Sequence, residues 1–270
     1  MMELMTAPET TPTATTTRLA RTVAITSGKG GVGKTFFSAN LAAALTRQGL
    51  KVLVLDADLG LANLDVVLNL YPKITLHDVF TGKSELEEAI LPAPGGFHVL
   101  LAGSGLVEYS RLTPEVRDQL MRIFEAVKPR FDVVLIDTGA GISDVVLYAV
   151  SMAHEVIVVA TPEPTSMTDA YATIKVLSAQ QGREQLHLVV NQVARSGDGR
   201  AICNQLQQVV ERFVQSPNGT TPKLSFLGDI PLDSSVREAV QKRQLLLELH
   251  PGSAAAQGVV QVATRLQARG

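Results

Sequence analysis

Short, continuously apolar runs rich in β-branched residues recur along the chain. They are TVAITS from Thr22, KVLVLD from Lys51, FHVLLAG from Phe97, FDVVLID from Phe131, EVIVVAT from Glu155, LHLVVN from Leu186 and KLSFLGDIP from Lys223. Most lack the in-out alternation of a strand with one wet face, which predicts strands covered by helices on both sides. Between them lie stretches with helical spacing. In KTFFSANLAAALTRQG, Phe37, Leu41, Ala44 and Leu45 share one face and Gly49 supplies a stop. TPEVRDQLMRIFEAV from Thr113, TSMTDAYATIKVLSAQQG from Thr165 and AICNQLQQVVERFV from Ala201 read the same way. VVLYAVSMAHEVIVVA from Val145 is interrupted by His154 and Glu155, so it predicts a helix followed by a strand and not a membrane span. The alternation as a whole predicts an α/β fold: a mostly parallel β-sheet flanked by helices on both faces.

With 270 residues, 46% of them hydrophobic, the chain can bury a substantial core. No internal repeat or long linker divides it. The expected organisation is one domain over residues 21–270 behind a disordered, Thr- and Pro-rich arm over 1–20, with SPNGTTP from Ser216 as a surface loop. The balance of 24 Lys+Arg against 26 Asp+Glu offers no bulk positive field for nucleic acid or anionic lipid. Cys203 is the one cysteine, which excludes an internal disulfide or a Cys-x-x-Cys pair. The lone thiol makes a reducing cytoplasm the expected location, and the arm has neither the basic start nor the apolar run of an export leader. The five histidines form no i, i+4 pair, and no zinc site is expected.

Directly after the first apolar run comes SGKGGVGKT, Ser27 to Thr35, and a helical pattern follows without a gap. Gly28, four intervening residues, then Gly33, Lys34 and Thr35 satisfy the phosphate-loop pattern in its strand-loop-helix setting. The backbone of Gly28, Lys29, Gly30, Gly31, Val32 and Gly33 would cradle phosphate, with Phe36 just inside the helix. Lys34 would reach the β and γ phosphates, and the Thr35 hydroxyl would ligate Mg²⁺. Gly28, Gly30 and Gly33 also carry G-x-G-x-x-G spacing, and Asp56 ends the next strand where a ribose-binding acid could sit. That dinucleotide alternative leaves Lys34 and Thr35 without a task.

Asp56 and Asp58 lie two residues apart at the end of the second run, so an extended backbone points both side chains the same way. Asp137 ends FDVVLID, as expected of a carboxylate delivered by a buried strand to a magnesium site, and Gly139 and Gly141 follow it. Sheets of this class bind ligands beyond the carboxyl ends of their strands, where all three acids fall.

The variant K-G-G-x-G-K-T, with Lys29 inside the glycine loop, resembles the deviant Walker A motif of the MinD/ParA family of ATPases. The resemblance implies a single P-loop ATPase domain that binds Mg·ATP and forms a homodimer across two nucleotides. It assigns Lys29 to the phosphates held by the other subunit, Asp58 to orienting the attacking water, and Asp56 to the neighbourhood of the magnesium. It also implies that Asn191, Pro231 and Asp233 bind the base. The stretches DADLGLANLDVVLNL, TLHDVFTGK, DTGAGISD, EPTSMTDAYATIKVL and PLDSSVREAVQKRQ are most similar to the flagellar-number branch, the FlhG or FleN group.

That branch restrains flagellar biogenesis. Its implied partners are an enhancer-binding flagellar activator of the FleQ kind and the GTPase FlhF, although the arm lacks the D-Q-A-type motif with which many members stimulate FlhF. A MinD-like role in septum or cargo positioning is the alternative. Arg237, Lys242 and Arg243 are interspersed with Glu238, so direct DNA binding is not expected. The last helical pattern, from Ala254, has one Leu, no aromatic and no Lys, which predicts a helix docked on the sheet. Any membrane contact would then be weak and peripheral, at the inner face of the cell membrane.

Overall fold

Eight strands form one sheet in a computed structural model that describes residues 19–59, 63–103 and 112–269. They are β1 (Arg21–Ser27), β2 (Val52–Ala57), β3 (Ile90–Pro92), β4 (His98–Leu100), β5 (Val133–Ala140), β6 (Glu155–Ala160), β7 (Gln185–Val193) and β8 (Lys223–Pro231). The order across the sheet is β3-β4-β2-β5-β1-β6-β7-β8, parallel throughout except between β3 and β4. The helices are α1 (Lys34–Arg47), α2 (Leu64–Val67), α3 (Leu76–Phe80), α4 (Leu86–Ala89), α5 (Pro114–Val127), α6 (Asp144–Ser151), α7 (Pro164–Gln181), α8 (Asp198–Phe213), α9 (Ser234–Lys242), α10 (Leu246–Leu249) and α11 (Ala254–Gln267).

The apolar runs are continuous because both faces of the sheet are buried. Leu53, Leu55, Val134 and Ile136 join a core beneath α5, α6, α7 and α8, while Val52, Val54, Val133 and Leu135 join a second core beneath α1 and α11. Each such side chain contributes about 1.5–3 kcal/mol by leaving water. Helix α1 is buried on nearly every side, and its alanines let neighbours approach closely: a Cβ placed on Gly95 would lie 2.9 Å from the Ala43 Cβ. In α11, Val259, Val262, Ala263 and Leu266 are buried against β8 and α1, as the docked-helix reading expects. No helix among the described residues is long and apolar enough to cross a membrane.

Two polar clamps hold the frame. Arg21 on β1 grips the Glu155 carboxylate through Nε and Nη2 and donates from Nη1 to the Leu266 carbonyl at 2.5 Å. Arg183 donates to the carbonyls of Val150 at 3.0 Å and Ala153 at 2.7 Å, and Gln181 Nε2 donates to Leu147 at 2.7 Å. Val150 lies in the last turn of α6, Leu147 one residue before that turn and Ala153 just beyond the end, so these donors gather the C-terminal side of an eight-residue helix.

The sequence pattern missed β3, a three-residue strand ending in Pro92 that pairs antiparallel with β4 across a turn at Gly95 and Gly96. Helix α7 starts one residue before the apolar periodicity suggested, at Pro164, and α8 three before, at Asp198 after the left-handed Gly197. The expected arm overlaps the domain at its end: Ala20 is buried and donates its N–H to the Lys128 carbonyl at 2.9 Å. Residues 1–18 of that arm lie outside the described residues.

Candidate nucleotide site

Because the major strands run parallel, the loops after β1, β2, β5, β6, β7 and β8 converge at one edge. The loop after β1 carries Gly31 at φ +79° and Gly33 at φ +92°, left-handed values that glycine adopts without strain. Gly28 lies flat against α7: a Cβ there would stand 2.1 Å from the Asp169 backbone oxygen. Asn191, at the end of β7, donates from Nδ2 to the Val32 carbonyl at 2.8 Å and accepts from the Gln192 N–H. Its amide therefore braces the phosphate loop.

Gly30, Gly31, Gly33, Lys34, Thr35 and Phe36 line a cleft of about 620 Å³ together with Asp58, Thr138 and Gly139. A cleft of about 310 Å³ adjoins it, lined by Gly33, Phe36, Asn191, Pro231, Asp233 and Arg237. The first suits a polyphosphate and the second a planar base, and Gly33, Phe36 and Val240 wall both. Asp233 sits at the second cleft with its carboxylate already engaged. Oδ1 caps α9 through Ser235, and Oδ2 accepts from the Ala255 N–H, so Asp233 shapes the loop that Pro231 begins. These bonds lower its pKa.

Beneath the phosphate cleft, Asp56 and Asp137 occupy matched positions on β2 and β5. Both are buried. Asp56 accepts the Asp58 N–H through Oδ1 at 3.1 Å, while its Oδ2 has no hydrogen-bond partner. Burial, reinforced by Asp137, raises the Asp56 pKa well above the usual carboxylate range. Burial also pushes Asp137 up to about 6, against hydrogen bonds from Ser38 and Thr35 and the nearby Lys34. Lys34 is 8% exposed, and burial lowers its pKa despite the attraction of Asp137 and Asp58. An orphaned buried carboxylate oxygen beside a second carboxylate and the Thr35 hydroxyl is a hard-oxygen donor set that fits Mg²⁺.

Lys29 points away from this cluster. Its Nζ donates to Glu163 Oε2 at 2.6 Å and to Thr165 Oγ1 at 3.0 Å on the same chain. Motif reading missed Glu163, Thr165 and Ser38, whose Oγ lies 2.8 Å from Asp137 Oδ1. The one available signal was the pair of prolines flanking Glu163.

The ParA family model, described as NUBPL iron-transfer P-loop NTPase, matches residues 18–267. The antiactivator FleN of Pseudomonas aeruginosa is 42% identical over 90% of this chain and 85% of its own. The flagellum site-determining protein YlxH of Helicobacter pylori is 36% identical over 89% of this chain and 80% of its own. The solved septum site-determining protein MinD complexed with Mg-ADP, from Pyrococcus horikoshii, superposes with a TM-score of 0.74 at 30% identity, covering 92% of this chain and 96% of that one. The phosphate loop, the strand-end carboxylates and these likenesses together establish that the chain belongs to the ParA/MinD family of P-loop NTPases.

Proposed function

We propose that the chain is an ATP-hydrolysing, Mg²⁺-dependent switch that pairs with a second copy when ATP is bound and thereby restrains flagellar number. The observation that carries the reading is the 42% identity to the antiactivator FleN across 90% of this chain. In this reading, Gly28, Lys29, Gly30, Gly31, Val32 and Gly33 hold phosphate oxygens through backbone N–H groups, and Lys34 neutralises the β and γ phosphates. Thr35, Asp56 and Asp137 would hold Mg²⁺, which when bound shields phosphate charge. Asp58, in the wall of the phosphate cleft, orients the attacking water, and Lys29 reaches the phosphates of the second copy. Asn191 and the Pro231 loop grip the base, with Asp233 fixing that loop. ATP favours the pair and hydrolysis releases it, so the output is a timed choice of partner.

The partners proposed are a FleQ-like flagellar activator and the GTPase FlhF. Light scattering and phosphate release test the chemistry. With Mg·ATP, Asp58→Ala should accumulate a dimer and hydrolyse at least tenfold more slowly than wild type; a chain that stays monomeric and releases no phosphate in either form sinks the switch. A deletion strain with normal flagellation sinks the biological role. The 30% identity to MinD over 92% of this chain favours a second reading, a positioning ATPase, which mislocalised septa in that strain would support.

A further inference from the structure

The amine that the proposed function sends to a second copy is occupied on its own chain, by Glu163 and Thr165. Stiff backbone sets both ends of this contact. On the lysine side, Ser27 Oγ donates to the Lys29 carbonyl at 2.7 Å, and Gly28 is pressed against α7. On the acid side, Pro162 and Pro164 fix φ on either side of Glu163, and the Thr161 N–H donates to Ser166 Oγ at 3.0 Å. The carboxylate is thus presented with little conformational freedom left to lose. Lys29 and Glu163 line a polar cleft of about 110 Å³ with Gly30, Gly31, Thr161 and Gln192. Their side chains are 37% and 60% exposed, so Lys29 can leave without disturbing either core. Glu163 and Thr165 take two of the three N–H donors of the Lys29 ammonium and fix where it points, so reaching a phosphate on another molecule means giving up these bonds. The two uses compete.

We propose that Glu163 and Thr165 are positioning residues that park Lys29 on its own subunit and thereby set the protein concentration at which nucleotide-bound copies pair. The inference rests on Lys29 acting in trans. An exposed ion pair of this kind shifts an equilibrium roughly two- to fivefold. Two open for each dimer, so removing the contact should tighten pairing on the order of four- to twenty-five-fold.

The test uses the full chain with Mg²⁺ and a non-hydrolysable ATP analogue, so that turnover does not intrude. The variants are Glu163→Gln, Thr165→Val and Lys29→Ala. Amine-specific acylation read by mass spectrometry reports parking directly: without nucleotide, Lys29 should label faster in Glu163→Gln than in wild type, with a smaller gain in Thr165→Val. Light scattering over a dilution series should show both variants pairing at lower concentration. Thermal unfolding checks each fold, and if Glu163→Gln is destabilised, Thr165→Val alone carries the test. Unchanged Lys29 labelling overturns the proposal, and so does faster labelling with pairing unchanged or weaker. Lys29→Ala separates the two failures. If it pairs like wild type, the trans role falls and parking falls with it; if it fails to pair while Glu163→Gln matches wild type, parking alone is wrong.

Discussion

Asp56 and Asp137 stand directly opposite one another on β2 and β5, in matched register and both almost wholly buried. Two carboxylates so placed resist simultaneous ionisation, which is why burial and mutual repulsion act in the same direction on Asp56. The arrangement is costly for the nucleotide-free protein and suited to a divalent cation.

The pH dependence follows from Asp137, whose folded pKa of about 6 lies above its ordinary value of 3.8. Between those values the folded chain holds a proton that the unfolded chain has released, so stability falls as pH rises through about 6. Asp137→Asn removes the ionisation. It should stabilise the nucleotide-free protein at pH 7.5 by about 1–3 kcal/mol and abolish the further stabilisation that Mg·ADP gives wild type. Urea unfolding at pH 5 and 7.5, with and without Mg·ADP, measures both; a variant less stable than wild type at pH 7.5 contradicts the assignment.

Ser38 reaches Asp137 from the first turns of α1, and its Oγ also lies 3.0 Å from the Lys34 carbonyl. In Ser38→Ala the carboxylate loses a donor worth about 1 kcal/mol, leaving its ionised form less favoured. Half-maximal ATP hydrolysis should require roughly fivefold more Mg²⁺ at pH 7, with the gap narrowing as pH rises. Magnesium titrations at pH 6.5 and 8.5 provide the check. Equal requirements in the two proteins would show that Ser38 does not orient Asp137.

Glu155 behaves in the opposite sense. Burial pushes its carboxyl up, but hydrogen bonds from Arg21 and His187 more than reverse this and bring it down to about 2. Its contribution is present above the ordinary value of 4.5 and is lost as pH falls toward 2. Glu155→Gln should cost about 1–3 kcal/mol at pH 7, and the two proteins should converge in stability near pH 2 to 3. Urea midpoints across that range test the clamp independently of the nucleotide site.

The sheet was legible because each buried strand writes its burial on both faces: Val133, Val134, Leu135 and Ile136 are all apolar, and alternate members enter opposite cores. Strand β3 carried no such signal, being three residues long and closed by a proline. The phosphate loop was legible from spacing alone, since Gly28, Gly33, Lys34 and Thr35 are contiguous in sequence. What joins distant segments was not. The register that matches Asp56 to Asp137, the amide of Asn191 on the Val32 carbonyl and the engagement of Asp233 by α9 and α11 exist only once the loops have met. Asp233 shows the limit well, because the PLDSS segment that carries it could be singled out in the sequence while the use of its oxygens, on Ser235 and Ala255, could not.

Arg183 and Gln181 act on a helix too short to hold itself. Isolated helices of eight residues do not persist in water, so α6 depends on its surroundings: Val146, Ala149 and Val150 are buried in the core, and Gln181 at the end of α7 and Arg183 just after it donate to the Leu147 and Val150 carbonyls. Its other end continues directly from the turn at Gly141 that follows β5, where the Gly141 N–H reaches the Ser27 carbonyl at 2.8 Å. One short helix therefore has its C-terminal side held by Arg183 and its start tied to β1 through the turn beside the phosphate cleft. On its outer side the Tyr148 hydroxyl donates to the Arg117 carbonyl of α5 at 2.9 Å, so α6, whose Val145 and Val146 line the phosphate cleft, joins that cleft to a helix at the surface.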